Sequence, residues 1–184
     1  MRHGQTDWNH RRLAIGQQDI PLNALGIAQA RDAQKLFKNI SLSAIFHSPL
    51  RRAVQTAEII NEKTQCPLIE IDDLKECSWG IYEGKPKGTW LSAWAQGKGS
   101  ADIEDCNKFS DRIIKGMNQA ISRDGTVLII AHGAVYWRLQ DHLKIKQKYD
   151  LEPCALLHHE PLEKNDDWHV KILGHQAYNQ DPFA

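Results

Sequence analysis

The sequence lacks long hydrophobic runs, an excess of charge of one sign and closely spaced cysteines. No apolar run approaches the roughly 20 residues that cross a bilayer, and the first residues form no hydrophobic signal segment. Basic and acidic residues number 23 each, so no net electrostatic field favours nucleic acid or an anionic membrane. We therefore expect a cytoplasmic protein without either partner, in which any anion site comes from a local cluster of cations.

The four cysteines are far apart in sequence and include no Cys-x-x-Cys pair. This spacing indicates neither a zinc knuckle nor a dithiol redox motif, and reduced thiols are expected. His158, His159 and Glu160 are the only tract that suggests a metal site, but adjacent residues of a strand point to opposite faces. We predict no metal and no cofactor.

Short apolar strands alternate with amphipathic helices along the chain, which predicts an α/β fold with a mostly parallel sheet. Predicted strands cover residues 44–47, 68–71 and 126–131, and predicted helices cover residues 23–38, 50–63, 105–123 and 134–143. Residues 2–19 are interpreted as a long loop and residues 84–104 as a small inserted lobe with a helix at 89–95. Residues 155–158 and 169–173 are expected to pair around a turn at 165–167. The length of 184 residues fits a single domain, 1–184.

Arginines, histidines and a glycine that could bind phosphate lie near the ends of the predicted strands. In an open parallel sheet, ligands collect at the carboxyl ends of the strands. Arg2–His3, Arg51–Arg52 and His132–Gly133 all lie at or near such ends. Arginine matches phosphate oxygens with paired donors, neutral histidine offers a nucleophilic nitrogen, and a glycine opening a helix exposes backbone N–H groups. Taken singly, each has a plainer interpretation as a solvated arginine or a core histidine.

Signature residues continue in unbroken order from residue 2 to about residue 143. They are Arg2, His3, Gly4, Gln5, Thr6, Trp8 and Asn9; Gly16, Asp19, Pro21 and Leu22; Gly26, Gln29 and Ala30; Ser48, Leu50, Arg52, Ala53, Gln55, Thr56 and Ala57; Leu74, Glu76, Gly80, Glu83 and Gly84; Glu104, Phe109 and Arg112; and residues 127–133. In these motifs the chain resembles the histidine phosphatase superfamily, the phosphoglycerate mutase-like group, branch 1. The resemblance implies a three-layer α/β/α sandwich with a small inserted cap.

The resemblance also implies roles for matching residues. His3 is expected to attack phosphorus and form a phosphohistidine, while Arg2, Arg52 and His132 hold the phosphoryl oxygens. Glu76 is expected to protonate the leaving oxygen and later to deprotonate water. Asn9, Gly133, Gln5 and Thr6 are the predicted substrate-binding residues. Glu83 is left open between a catalytic role and a role in loop structure.

Two departures from the family pattern stand at the start of the chain. Gln5 occupies a position where many members carry glutamate. The family also places a β-strand immediately before residues 2–4, whereas this sequence offers only Met1 there. We expect that the natural protein begins upstream, or that this strand was lost in assignment of the start site.

Hydrolysis of a small phosphate ester is the predicted function, because the predicted lobe is short and leaves water access to the phosphohistidine. The alternatives are a phosphoglycerate mutase and a weakly catalytic, phosphate-binding regulatory module. In the lobe, Lys85, Lys87, Lys98, Trp90 and Trp94 either contact the substrate or, as we favour, pack the lobe onto the body. The sequence indicates neither the physiological substrate nor the oligomeric state.

Overall fold

A computed structural model describes residues 1–145, 150–161 and 168–173. Its helices are α1 (Asp7–His10), α2 (Ala24–Gln34), α3 (Arg51–Thr64), α4 (Thr89–Ala95), α5 (Cys106–Ile121) and α6 (Gly133–His142). Its strands are β1 (Ala44–His47), β2 (Leu68–Glu70), β3 (Val127–Ile130), β4 (Leu156–Pro161) and β5 (Trp168–Leu173). No helix within these ranges is both long and apolar enough to cross a membrane.

The central sheet is parallel and has the strand order β2-β1-β3. Ile45 of β1 is in register with Leu68 on one side and Leu128 on the other. Beyond β3, Arg2 forms a parallel bridge with Ala131, and the backbone N–H of His3 donates to the Ala131 carbonyl at 3.0 Å. Parallel pairing therefore brings the residues that follow β1 and β3 to the same edge of the sheet as His3.

Helices cover both faces of this sheet and form two separate cores. On one face, α2 and α3 pack their alanines and isoleucines against Ile45, Leu128 and Ile130. On the other face, Phe109 and Ile113 of α5 pack against Phe46. The predicted α/β fold with a mostly parallel sheet between helical layers is confirmed.

The predicted helices and strands of residues 23–143 are present with ends shifted by at most a few residues, and α4 has the predicted bounds. The interpretation of residues 2–19 as a continuous loop was wrong, because they contain α1. Thr6 caps this helix: its Oγ1 accepts from the Asn9 N–H at 3.2 Å, and Asn9 Oδ1 accepts from the Thr6 N–H. One helical turn is too short to show an apolar periodicity, so only the cap could have indicated it.

β4 and β5 form the predicted antiparallel pair, while the predicted turn at 165–167 lies outside the described residues. Between β3 and this pair, residues 1–3 bond to both sides. The Met1 carbonyl accepts from the Ala131 N–H at 3.1 Å, and the Arg2 carbonyl accepts from the Cys154 N–H at 3.1 Å. The expectation that the natural chain begins upstream stays a prediction.

The segment of the predicted lobe is tied to the body by a tryptophan. Trp94 of α4 is only 1% exposed and makes edge contacts with Trp79 and Phe109. Its Nε1–H donates to the Glu104 carbonyl at 2.8 Å. Trp94 therefore packs this segment onto α5, which is the role that we favoured for it, and the domain bounds 1–184 remain a prediction.

Two glycines allow α2 to approach the loop that carries His3. A Cβ on Gly26 would lie 2.0 Å from the Gln5 carbonyl oxygen, and a Cβ on Gly4 would lie 2.5 Å from the Gly26 carbonyl oxygen. Both distances are far below van der Waals contact, and both involve backbone atoms that cannot rotate away. The start of α2 thus fixes the backbone that follows His3.

We predict that Gly26→Ala lowers the free energy of unfolding by about 2 kcal/mol or more, because the steric clash outweighs the roughly 1 kcal/mol that alanine gains in a helix. Urea denaturation measures the change. Gly88→Ala is the matched control, since its Cβ would meet nothing closer than 3.5 Å. An unchanged or raised stability of the Gly26 variant would contradict the close approach.

Candidate active site

A cavity opens at the carboxyl edge of the sheet. Its lining residues are Arg2, His3, Asn9, Leu13, Ala14, Ile15, Gly16, Arg52, Glu76, Trp79, Lys87, Trp90, Leu91, Gly133, Ala134, Trp137 and Asp150. Six of the residues predicted from the sequence are among them. His132 lies directly behind, 1% exposed, with its ring centroid 5.1 Å from that of His3.

His3 is a buried imidazole whose hydrogen bonds define its tautomer. Its Nδ1 lies 2.7 Å from the Gly4 carbonyl oxygen, and because a carbonyl only accepts, Nδ1 carries the proton. The lone pair is therefore on Nε2, to which the Arg52 Nε–H donates at 3.2 Å. Burial, then the charges of Arg52 and Arg2, hold the pKa of His3 well below its usual value. The ring is neutral and offers a nucleophilic nitrogen to the cavity side.

Arg52 is a fully buried cation in the first turn of α3. Its guanidinium donates to the carbonyls of Gly16 at 2.8 Å and Gln18 at 2.9 Å. Burial lowers its pKa to about 10, against the opposing effect of Glu76. Arg52 therefore stays charged at neutral pH and is fixed by backbone oxygens rather than by a bonded carboxylate.

Glu83 holds the loop that supplies those carbonyls. One carboxylate oxygen accepts from the backbone N–H groups of Gln17 at 3.0 Å and Trp79 at 3.1 Å, and the other accepts from the Gln18 side chain at 2.7 Å. Gly16, with φ of +59°, leaves room for this carboxylate, since a Cβ there would lie 2.0 Å from it. Of the two roles left open for Glu83, this geometry supports the one in loop structure.

Two buried polar atoms beside His3 lack any hydrogen-bond partner in the described part of the chain. They are Nε of Arg2 and Nδ1 of His132. Arg2 uses Nη1 to donate to the Leu151 carbonyl, which orients the guanidinium. A buried polar atom without a partner costs about 1–3 kcal/mol, so such atoms indicate a group that is bound there during function.

His132 follows β3 and is oriented by the residue that follows β1. Its Nε2 lies 2.7 Å from Ser48 Oγ. Burial, with the charge of Arg52, holds the pKa of His132 well below its usual value. The second imidazole is therefore neutral as well.

Glu76 faces these groups from the loop after β2 and is 9% exposed. Its carboxyl accepts from the Cys77 N–H at 2.9 Å and from the Ala134 N–H at 3.4 Å. Burial raises the pKa of Glu76, and the hydrogen bond from Cys77 and the charge of Arg52 oppose that rise only in part. A carboxyl group of this kind can hold a proton closer to neutral pH than an exposed glutamate does.

Arg112 of α5 fixes the loop that carries Glu76. Its guanidinium donates to the carbonyls of Lys75 at 2.7 Å and Glu76 at 3.0 Å. It also pairs with Glu104, at 2.6 Å from Nε and 2.8 Å from Nη2. The last motif residues before β3 thereby hold the carboxyl group in place from behind.

Two of the four predicted substrate-binding residues line the cavity and two do not. Asn9 lines the cavity with its Oδ1 held by Thr6, which leaves its amide N–H donors for a ligand, and Gly133 lines it at the start of α6. Gln5 and Thr6 do not line the cavity. The Gln5 side chain accepts from Asn23 at 3.1 Å, and Thr6 is fully buried as the cap of α1.

The lining residues that the sequence reasoning missed include three with aromatic or charged side chains: Trp79, Trp137 and Asp150. Trp137 stands four residues after Gly133 on α6 and shares its face, so helical spacing could have found it. Trp79 and Asp150 lie in loops and gave no such signal. Lys87 and Trp90, named as possible contacts, do line the cavity.

No group of three or more histidine, cysteine, aspartate or glutamate side chains in the described ranges is arranged to hold a metal ion. In β4, His158 contacts Glu160, with 3.5 Å between Nδ1 and the carboxylate, whereas the His159 ring contacts Tyr136. The cavity itself gathers cations and imidazoles, which suits an anion.

We predict that the two neutral histidines make stability fall as pH drops below about 6.5, the ordinary histidine pKa. Below this pH, both histidines take up protons in the unfolded chain, whereas buried His3 and His132 stay neutral in the folded chain. Each histidine lowers the free energy of unfolding by up to about 1.4 kcal/mol per pH unit. The double variant His3→Gln/His132→Gln should show a shallower slope in urea denaturation between pH 7 and 5.5.

Glu76 affects the pH dependence of stability with the opposite sign, because its raised pKa makes the folded state bind the extra proton. Glu76 is present in both the parent and the double variant, so the comparison of their slopes reports on the histidines. His10→Gln, at an exposed position, is the control and should leave the slope unchanged. Equal slopes for the double variant and the parent would contradict neutral histidines.

Comparison with known proteins agrees with this geometry. A model of the histidine phosphatase superfamily (branch 1) matches residues 1–162. An uncharacterized phosphatase PhoE of Bacillus subtilis is 42% identical over 137 residues, covering 73% of this chain and 70% of that protein. A probable phosphoglycerate mutase GpmB of Proteus mirabilis is 30% identical over 145 residues, covering 72% and 67%.

Among solved structures, YhfR of Bacillus stearothermophilus superposes with a TM-score of 0.82 at 24% identity, covering 97% of this chain and 96% of that one. The alpha-ribazole phosphatase of Shigella flexneri superposes with a TM-score of 0.81 at 22% identity, covering 94% and 93%. Both show the predicted phosphoglycerate mutase-like fold. With this fold, the matched residues and the assembled cavity, the chain belongs to branch 1 of the histidine phosphatase superfamily.

Proposed function

We propose that this protein hydrolyses small phosphomonoesters in the cytoplasm through a phosphohistidine on His3. The observation that carries the proposal is the pair of unpartnered buried atoms, Arg2 Nε and His132 Nδ1, in residues that neighbour a neutral His3. A phosphoryl group in contact with Nε2 of His3 satisfies both atoms, and the two arginines neutralise its dianionic charge.

In the first step, the lone pair of His3 Nε2 forms a bond to phosphorus as the ester P–O bond breaks. The Nδ1–H bond to the Gly4 carbonyl stabilises the positive charge that develops on the ring. Arg52 Nε–H, which occupies that lone pair in the unliganded site, turns to a phosphoryl oxygen. The protonated carboxyl of Glu76 gives its proton to the leaving oxygen, so the product is a neutral alcohol.

In the second step, the Glu76 carboxylate takes a proton from water as its oxygen bonds to phosphorus. The P–N bond breaks, its electron pair returns to Nε2, and inorganic phosphate leaves. Glu76 is again protonated and His3 again neutral. Each cycle therefore consumes one water molecule and needs no metal, since the arginines carry the positive charge.

Hydrolysis is favoured over mutase activity by two observations. The more similar of the two relatives compared is named a phosphatase, at 42% identity against 30% for the probable mutase. Lys87, on the cavity lining, also has surface exposed to solvent, which supports access of water to the site. Conversion of 3-phosphoglycerate into 2-phosphoglycerate without phosphate release would instead support the mutase alternative.

We predict that the protein turns over 4-nitrophenyl phosphate and that His3→Ala lowers kcat by at least about 1,000-fold by removing the nucleophile. Rapid quench with phosphorus-labelled substrate should trap an acid-labile, base-stable label in the parent only. His10→Ala, at an exposed position, is the matched control. Undiminished activity in His3→Ala would exclude the assignment, and phosphate binding without turnover in the parent would support a regulatory module.

We also predict that Glu76→Gln separates the two proton transfers. With an alkyl phosphate, whose leaving alkoxide needs a proton, kcat/KM should fall by about 100- to 10,000-fold. With 4-nitrophenyl phosphate the first step needs little assistance, so labelled phosphohistidine should accumulate because water is not deprotonated.

The pH profile gives a second measure of this role. The parent should lose kcat/KM for the alkyl ester as pH rises through the raised pKa of Glu76, because the acid form disappears. Glu62→Gln, which alters an exposed carboxylate that pairs with Arg31 and does not line the cavity, should retain this basic limb. Equal losses for both esters in Glu76→Gln would argue against a proton donor.

A further inference from the structure

We infer that Ser48 is a positioning residue that fixes the tautomer of His132 and so turns Nδ1 of that ring into a hydrogen-bond donor toward the phosphoryl group. Ser48 follows β1, is fully buried and does not line the cavity. It acts on the substrate only through His132. The inference rests on the proposed function for its kinetic consequence but not for the tautomer itself.

The count of hydrogens at Ser48 leads to this assignment. A serine hydroxyl has one hydrogen to donate and two lone pairs to accept with. One lone pair accepts from the Leu50 N–H at 3.3 Å. The contact of 2.7 Å with His132 Nε2 is the one described place where the hydroxyl hydrogen finds an acceptor.

The opposite arrangement leaves too many groups unsatisfied. If Nε2 of His132 carried the proton and donated to Ser48 Oγ, the serine hydrogen would be buried without a described acceptor. Nδ1 would then also be a buried lone pair in a site lined by Arg2 and Arg52, where it could not bind an anion. With the serine donating, Nε2 accepts and Nδ1 of the neutral ring carries the proton.

The backbone holds Ser48 where this bond requires it. Its N–H donates to the Ile130 carbonyl at 3.1 Å, which continues the pairing of β1 with β3 beyond the last strand residue. His132 lies two residues after Ile130 and immediately before α6. The hydroxyl and the imidazole are therefore joined across neighbouring strand ends, and their separation is set by the sheet.

The donor created in this way is Nδ1 of His132, the buried atom that lacks a hydrogen-bond partner among the described residues. Nδ1 of His132 is buried and unbonded, in a ring 5.1 Å from that of His3. A proton on Nδ1 stabilises negative charge on a phosphoryl oxygen, most strongly in the transition state. A neutral imidazole in the other tautomer would present a lone pair to the same oxygen and repel it.

The tautomer is measured by long-range proton–nitrogen NMR on the unliganded, nitrogen-labelled parent, with the His132 signals assigned from His132→Gln. We expect a protonated Nδ1 and an unprotonated Nε2 in the parent. In Ser48→Ala we expect the proton on Nε2 or a mixture of the two forms. A parent ring protonated on Nε2 would overturn the inference without any variant having to fold.

In kinetics, Ser48→Ala should lower kcat with 4-nitrophenyl phosphate by about 10- to 100-fold with a smaller change in KM, because the lost donor acts mainly in the transition state. Ser48→Thr, which keeps a hydroxyl, should restore both the tautomer and most of the activity. Ser110→Ala is the matched control, since that hydroxyl bonds only the Cys106 carbonyl and Arg138.

Unchanged tautomer and kcat in a folded Ser48→Ala would refute the positioning role. Failure of the proposed function has a different signature. If no phosphohistidine label is trapped in the parent but the His132 proton moves to Nε2 in Ser48→Ala, the role of Ser48 stands and the phosphoryl-transfer assignment falls.

Discussion

The burial of Arg52 is the constraint on which the rest of this structure depends. A guanidinium removed from water loses its hydration, and here backbone carbonyls and a histidine nitrogen replace it rather than a bonded carboxylate. The site thus keeps net positive charge in a water-poor place. Burial and then that charge depress the pKa of His3 and His132, and the charge is available to an anion.

The loops around the sheet are arranged to maintain this unneutralised cation. Glu83 is close enough to favour the charge of Arg52, but its oxygens are occupied by three N–H donors, so it fixes the Gly16–Gln18 carbonyls instead of pairing with the guanidinium. Arg112 does the equivalent for the Glu76 loop by donating to its carbonyls and pairing with Glu104. Glu83 and Glu104 thus position the backbone and leave the charge of Arg52 without a bonded carboxylate, as the proposed phosphate site requires.

The sequence predicted the architecture well because local patterns determine it. The patterns of apolar residues predicted the bounds of β1, β3, α4 and α5 to within two residues. The positions of the strand ends predicted which residues come together at the edge of the sheet. It could not assign side chains around His3. Gln5 and Thr6 stand beside the nucleophile in sequence, yet they face α2 and α1, because the close approach of Gly4 and Gly26 turns the backbone away from the cavity. The wall formed by Trp79 and Asp150 depends on loop paths that no periodicity records.

The same positive charge links the proton on Glu76 to the substrate. In the unliganded site, Arg52 and Arg2 favour the carboxylate form of Glu76, while burial favours the protonated form and prevails. In the proposed reaction, a bound phosphoryl dianion offsets the charge of both arginines. One of the influences that favour the carboxylate is then removed as the substrate arrives, while the hydrogen bond from Cys77 remains. Binding therefore raises the pKa of Glu76 further and loads the acid with the proton that the leaving oxygen needs. In the same proposed reaction, departure of the alcohol leaves the Glu76 carboxylate beside the phosphohistidine, where it would serve as the base for water. Burial and the charges of Arg52 and Arg2 can thus set the neutral state of the nucleophile and, in the proposed reaction, the alternating states of the acid.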